Sequence, residues 1–193
     1  MKLAWILASA LLACSAAAFA AAPALKAGTF EPPSTAPEFT LQGTDGQPLR
    51  LARFRGKLVA LVFGFTHCPE VCPTTLATLA AARKALGPDS AALQVVYITV
   101  DPERDALPGM RDYLAAFDKS FVGGTGTPET LAALFKAYGV TAVKVPTAGG
   151  GYAMNHSSSI YLIDREGKLR AVMPYGHDAK DFVHDVRLLL VAK

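Results

Sequence analysis

The chain has few of the residues that staple a fold or hold a metal: among its 193 residues are three cysteines, four histidines and one tryptophan. So few cysteines exclude the disulfide framework of a small secreted scaffold, and a chain that is 51% apolar is long enough to bury the core of one domain without it. Charge of one sign is also scarce. Lys and Arg outnumber Asp and Glu by only 19 to 16, for a net charge of +3, and they are scattered. Without a concentrated basic stripe, nucleic acid is not an expected partner. The densest basic run, RLARFRGK at residues 50–57, reads first as a solvated hairpin edge and second as a docking patch for an acidic partner. Glycine runs at 123–126 and 149–151 lack the Gly-Lys-Ser/Thr of a phosphate loop and read as turns.

The N-terminus differs from the rest. Lys2 is followed by LAWILASALLA, an apolar run too short for a permanent membrane span, which reads as an export signal over residues 1–20. Two processing readings compete there. Ala18-Phe19-Ala20 fits a small-x-small cleavage site, whereas Leu11-Leu12-Ala13-Cys14 resembles a bacterial lipobox, in which Cys14 becomes a lipidated first residue. The lipobox is the favoured reading. It places the protein on the extracytoplasmic, periplasmic side as a membrane-anchored lipoprotein, the alternative being a soluble periplasmic protein. Residues 21–37, rich in Ala and Pro, read as a flexible tether, and residues 38–193 as the folded domain.

Along that domain, FTLQ and PLRLARF flank a turn at Thr44-Asp45-Gly46-Gln47 and read as a hairpin. KLVALVFGF and LQVVYITV are continuous apolar runs of strand length, suited to central strands covered on both faces. Helices are predicted over TTLATLAAARKAL, over about residues 108–117, after the start signal Thr127-Pro128-Glu129, and over DAKDFVHDVRLLL. SSIYLID and KLRAVM read as a strand pair around Arg165-Glu166-Gly167. Strand, helix, strand, helix, hairpin, helix is the thioredoxin-like order. The expected fold is therefore α/β, with a central mixed sheet flanked by helices and additional N-terminal hairpin strands.

The chemistry gathers in GFTHCPEVCPTT, residues 64–75, which leaves the carboxyl end of a predicted central strand and enters a helix. With Cys14 removed or acylated, Cys68 and Cys72 are the remaining thiols. Pro73 should open the helix, with both sulfurs near its positive end, a field that lowers thiol pKa values. A disulfide across so short a loop would stabilise little, so a purely structural staple is the weakest reading and a redox pair or a metal site remains. Zinc is disfavoured by ligand count; two thiolates with an imidazole suit copper better. His67 adjoins Cys68, so its side chain should point away, and His177 and His184 read as surface or supporting residues. His156 stands directly before a predicted strand, on a loop that in a thioredoxin-like fold faces the cysteine-bearing helix start. Met154 and Met173 read as core fillers rather than extra ligands.

CPEVCP, DPERD (residues 101–105) and NHSSSIYLID, in this order and spacing, resemble the Sco (SenC) family of copper proteins in cytochrome c oxidase assembly. The resemblance runs from about Pro37 to the end of the chain. It implies a membrane-tethered chaperone that binds one copper, as Cu(I) and also as Cu(II), through Cys68, Cys72 and His156. Its implied acceptor is the dinuclear copper site of cytochrome c oxidase subunit II, with other periplasmic copper chaperones as further partners. The alternative is a thiol-disulfide oxidoreductase in which Cys68 and Cys72 are redox thiols that reduce the acceptor's cysteines. A peroxidase is weaker, lacking the usual peroxidatic motif. The family often places an acid before the histidine where this chain has Asn155, a change expected to alter the histidine's surroundings. The family pattern also points to a structural or docking role for Asp101, Arg104 and Asp105.

Overall fold

The computed structural model describes residues 24–192. The export signal and Cys14 lie outside the described residues. Ten strands and four helices follow one another: β1 (Gly28–Thr35), β2 (Thr40–Gly43), β3 (Pro48–Arg50), β4 (Leu58–Gly64), α1 (Val71–Leu86), β5 (Leu93–Thr99), α2 (Leu107–Ala115), β6 (Val122–Thr125), α3 (Pro128–Tyr138), β7 (Ala142–Pro146), β8 (Tyr152–His156), β9 (Ile160–Ile163), β10 (Lys168–Met173) and α4 (Ala179–Val191). Eight strands form one sheet in the order β1-β10-β9-β4-β5-β6-β2-β3. β4 is parallel to β5, and β5 to β6, while β9 runs antiparallel to β4. This is the mixed α/β sheet flanked by helices that the order of elements predicts.

The two apolar runs are β4 and β5, every residue of which is buried. Alternate residues of β4 face opposite layers, as the pleat requires. Leu58, Ala60 and Val62 pack with Leu76 and Leu79 of α1, Met110 of α2 and Phe182 of α4. Val59, Leu61 and Phe63 pack with Leu131, Leu134 and Tyr138 of α3 on the other face. α3 begins and ends where the sequence signals it: the Thr127 side chain accepts from Thr130 N–H, and Gly139 takes the left-handed conformation at φ 66°.

Four expectations need correction. Residues 28–35, within the expected tether, form β1 along the open edge of β10, which would otherwise leave its backbone groups unpaired. Lys26 and Ala27 N–H donate to the buried Asp185 carboxylate at 2.7 and 2.8 Å. The register shift between Thr29 and Ser34 takes up Pro32 and Pro33, which cannot donate to a ladder. The second hairpin strand stops at Arg50, where Leu51–Phe54 turns into a 3-10 helix that buries Leu51 and Phe54, three residues apart, on one side. Gly123 and Gly124 sit in strand β6, not a turn; a Cβ on Gly124 would come within 2.4 Å of Leu49. The segment before His156 is a strand too. β7 and β8 form a separate two-stranded ribbon around the 147–151 loop, with Ala142 opposite His156.

Candidate metal centre

Two pieces of chain meet at the carboxyl end of β4. The first is the loop from Phe65 into α1; the second is the end of β8. Helix α1 starts at Val71 rather than at Pro73, so Cys72 and Pro73 both fall in its first turn, where a missing N–H costs no helical bond. Cys68 precedes the helix, and its sulfur accepts from Cys72 N–H at 3.4 Å. Only Cys68 therefore takes a first-turn backbone donor in the manner of a cap. Cys72 is 3% exposed, and burial in the low-dielectric layer pushes its thiol up to about 12, opposite to the lowering expected from the helix field. Both cysteines are free thiols.

His156 reaches them from 84 residues away: its Nε2 lies 3.6 Å from Cys72 Sγ. The tautomer follows from its other nitrogen. Nδ1 is 2.8 Å from the Ser157 carbonyl, which can only accept, so Nδ1 carries the proton and the Nε2 lone pair faces the sulfur. Burial holds the imidazole pKa below its ordinary value, keeping the ring neutral near pH 7. The Phe65 ring meets it edge to face at 5.7 Å. Ligand atoms of Cys68, Cys72 and His156 all lie within 4.8 Å of one another, so small shifts would bring two sulfurs and one nitrogen onto a single soft ion.

The DPERD turn holds the two pieces together. Asp105 is buried and binds the cysteine loop: its carboxylate accepts from Thr66 N–H at 3.1 and 3.2 Å, from the Thr66 hydroxyl at 2.6 Å and from the Thr99 hydroxyl at 2.7 Å. Asp101, also buried, holds the ribbon, accepting from the Tyr152 hydroxyl at 2.7 Å. Arg104 pairs with Asp101 and donates to the Tyr152 carbonyl at 3.0 Å, with its guanidinium stacked 4.0 Å from the centre of the Tyr152 ring. Three residues of one five-residue turn thus fix both the strand that carries His156 and the loop that carries Cys68. This is the structural role that the sequence left unassigned between scaffold and docking.

The other sequence candidates lie outside the cluster. His67 is exposed and bonds Thr66 through Nδ1 at 3.1 Å. His177 pairs with Asp181 at 3.0 Å, and His184 Nε2 donates to the Ala24 carbonyl at 3.1 Å. Met173 is buried and Met154 packs against the core, as expected. Asn155 is exposed on the opposite face of the ribbon from His156, so the imidazole's partner is the Ser157 carbonyl. Thr66, Tyr152 and Ser157 escaped the sequence reading. The nearness of Thr66 to Cys68 was the only available signal, and the other two act through a fold that sequence spacing does not reveal.

A family model described as SCO1/SenC matches residues 27–190. The chain is 35% identical over 158 residues to a mouse protein named SCO2 homolog, mitochondrial, covering 80% of this chain and 62% of that protein. It is 36% identical over 138 residues to a putative copper-binding protein of Stutzerimonas stutzeri, covering 69% of this chain and 66% of that one. The chain therefore spans a little under two thirds of the length of these curated relatives. Among solved structures, ScoI of Bradyrhizobium japonicum with copper bound is similar at a TM-score of 0.74 and 34% identity, over 81% of this chain and 100% of that one.

Proposed function

Since the chain belongs to the SCO1/SenC family, we propose that it binds one copper ion through Cys68, Cys72 and His156 and passes it to the dinuclear copper site of cytochrome c oxidase subunit II. The observation that carries this reading is the convergence of two thiols on an imidazole whose lone pair is already turned towards them. The copper-bound relative supports the choice of metal. Two thiolates and a neutral nitrogen suit Cu(I), which accepts low coordination, and loading would release the thiol protons to solvent. Burial orders the exchange. Cys68 and His156 are partly exposed and would yield first to incoming acceptor thiolates, while the buried Cys72 would let go last.

The test is an anaerobic Cu(I) competition titration of the reduced protein beside His156→Ala. One copper bound tightly by the wild type, with affinity falling by about two orders of magnitude in the variant, is the expected result. Equal affinity in both would remove His156 from the site and this reading with it.

The asymmetric burial of the thiols favours one second reading, thiol-disulfide exchange. The partly exposed Cys68 thiolate would attack an acceptor disulfide and release one acceptor thiol. Cys72 would then resolve the mixed disulfide, releasing the second thiol and leaving Cys68 and Cys72 oxidised until an external dithiol reduces them. Reduction of an oxidised acceptor peptide without metal distinguishes this activity from delivery. For location, we propose export and membrane attachment through lipidated Cys14, which mass spectrometry of the exported protein separates from simple cleavage after Ala20.

A further inference from the structure

Tyr97 stands on β5 opposite Val62, fully buried in the layer beneath α1 and α2. A phenylalanine would fill that layer with the same ring. The hydroxyl is the unexplained part: it is buried and makes no hydrogen bond of full geometry among the described residues, although it lies close enough to the Cys72 sulfur for the two groups to influence each other. Native folds seldom leave such a group unpaired, and each instance calls for a physical reason.

The reason lies at Gly64. A Cβ built there would fall 2.5 Å from Tyr97 Oη and 2.9 Å from Cys72 Sγ, so the phenol oxygen and the sulfur share the gap that the missing side chain leaves. The Asp105 carboxylate is committed to Thr66 and Thr99, and the Tyr113 hydroxyl, although its ring lies 6.4 Å from that of Tyr97 between centroids, makes no hydrogen bond to Tyr97 or to any other described residue. In the metal-free protein Cys72 is a thiol, a weak acceptor, whose proton can go to His156 Nε2 at 3.6 Å.

We propose that Tyr97 donates a hydrogen bond to Cys72 Sγ once that sulfur becomes a copper-bound thiolate, and that it thereby tunes the site towards Cu(I). This rests on the copper reading above. Metallation replaces the S–H bond with a bond to the metal and leaves negative charge on sulfur, which turns a weak acceptor into a strong one. A donor on the sulfur withdraws electron density from it, and the loss matters more to Cu(II), which depends more on thiolate donation, than to Cu(I). Tyr97 is thus a positioning and tuning residue that acts through Cys72, not a ligand.

The test compares wild type with Tyr97→Phe, each reduced and copper-free, loaded with Cu(I), and loaded with Cu(II). In the copper-free protein the variant should unfold at the same or higher denaturant concentration, because it deletes an unpaired buried hydroxyl. Loaded, it should bind Cu(I) about tenfold more weakly. Its Cu(II)–thiolate charge-transfer band should move to longer wavelength, since the sulfur donor orbital rises when the hydrogen bond is lost. Identical affinity and band in the two proteins would reduce Tyr97 to a packing residue. A copper-free variant less stable than wild type would also overturn the proposal, by showing that the hydroxyl already has a partner in the resting fold. Wild-type protein that takes up no copper would instead refute the copper reading itself.

Discussion

Asp105→Asn tests whether the DPERD turn assembles the site. Asp105 Oδ1 accepts from Thr66 N–H and from the Thr66 hydroxyl at 2.6 Å, while Oδ2 accepts from Thr66 N–H and from the Thr99 hydroxyl at 2.7 Å. An asparagine with its carbonyl at Oδ1 keeps the Thr66 hydroxyl bond and the 3.2 Å bond from Thr66 N–H without their ionic character, and loses the 3.1 Å bond that Oδ2 accepted from the same N–H. Its amide then faces Thr99, whose hydroxyl must turn from donor to acceptor while already accepting from Asp101 N–H at 2.9 Å. Hydrogen bonds to a charged group are worth about 1.5–3 kcal/mol, against roughly 0.5–1.5 for neutral ones, so weakening the bonds from these three donors by about 1–1.5 kcal/mol each amounts to a loss of about 3–4.5 kcal/mol. Urea denaturation of the reduced, copper-free protein should show that loss as a lower midpoint with an unchanged slope. Thr66 stands two residues before Cys68, so the loosened loop should also weaken Cu(I) binding by about 10- to 100-fold in a chelator competition. Full destabilisation with copper affinity within about twofold of wild type would refute the reasoning, since Asp105 would then stabilise the domain without positioning its thiols.

Two further outcomes are expected. Gly64→Ala should cost about 1–3 kcal/mol by overpacking, because its Cβ would lie 2.5 Å from Tyr97 Oη and 2.9 Å from Cys72 Sγ; combining it with Tyr97→Phe should recover part of that loss, and strictly additive denaturation midpoints would show that the two side chains do not meet. Asp178 caps α4, and the Asp181 N–H, with that of Lys180, holds its carboxyl below the usual value of 3.8. Because the folded pKa is depressed, its contribution is fully present above about pH 3.8 and lost as pH falls through the folded value. Asp178→Asn keeps a capping oxygen but cannot titrate, so its melting temperature should match wild type near neutrality and fall less steeply on acidification. Parallel acid limbs would count against the assignment.

Much of this protein was legible in its sequence because local rules act over a few residues. The cap at Thr127 and the left-handed Gly139 bound α3 within one segment, and the continuous apolar runs of β4 and β5 mark strands buried on both faces. The cysteine loop and its helix were visible for the same reason, and family resemblance named the distant histidine. Other features depended on neighbours that are remote along the chain. β1 forms because the edge of β10 lies open beside it, and no pattern in a Pro-rich stretch announces that edge. Only the tertiary structure gives Cys72 its depth, and with it a thiol held high by desolvation rather than low by a helix field that acts without knowledge of burial. It alone sets His156 Nε2 against a sulfur 84 residues earlier, because β4 and β9 pair side by side while the β7–β8 ribbon folds over the loop. The sequence by itself determined which side chains could hold a soft metal and that two of them sit where a buried strand gives way to a helix. The tertiary structure decided their distances, their solvation and the DPERD clamp that joins them, since those depend on contacts made only when the sheet and the β7–β8 ribbon come together.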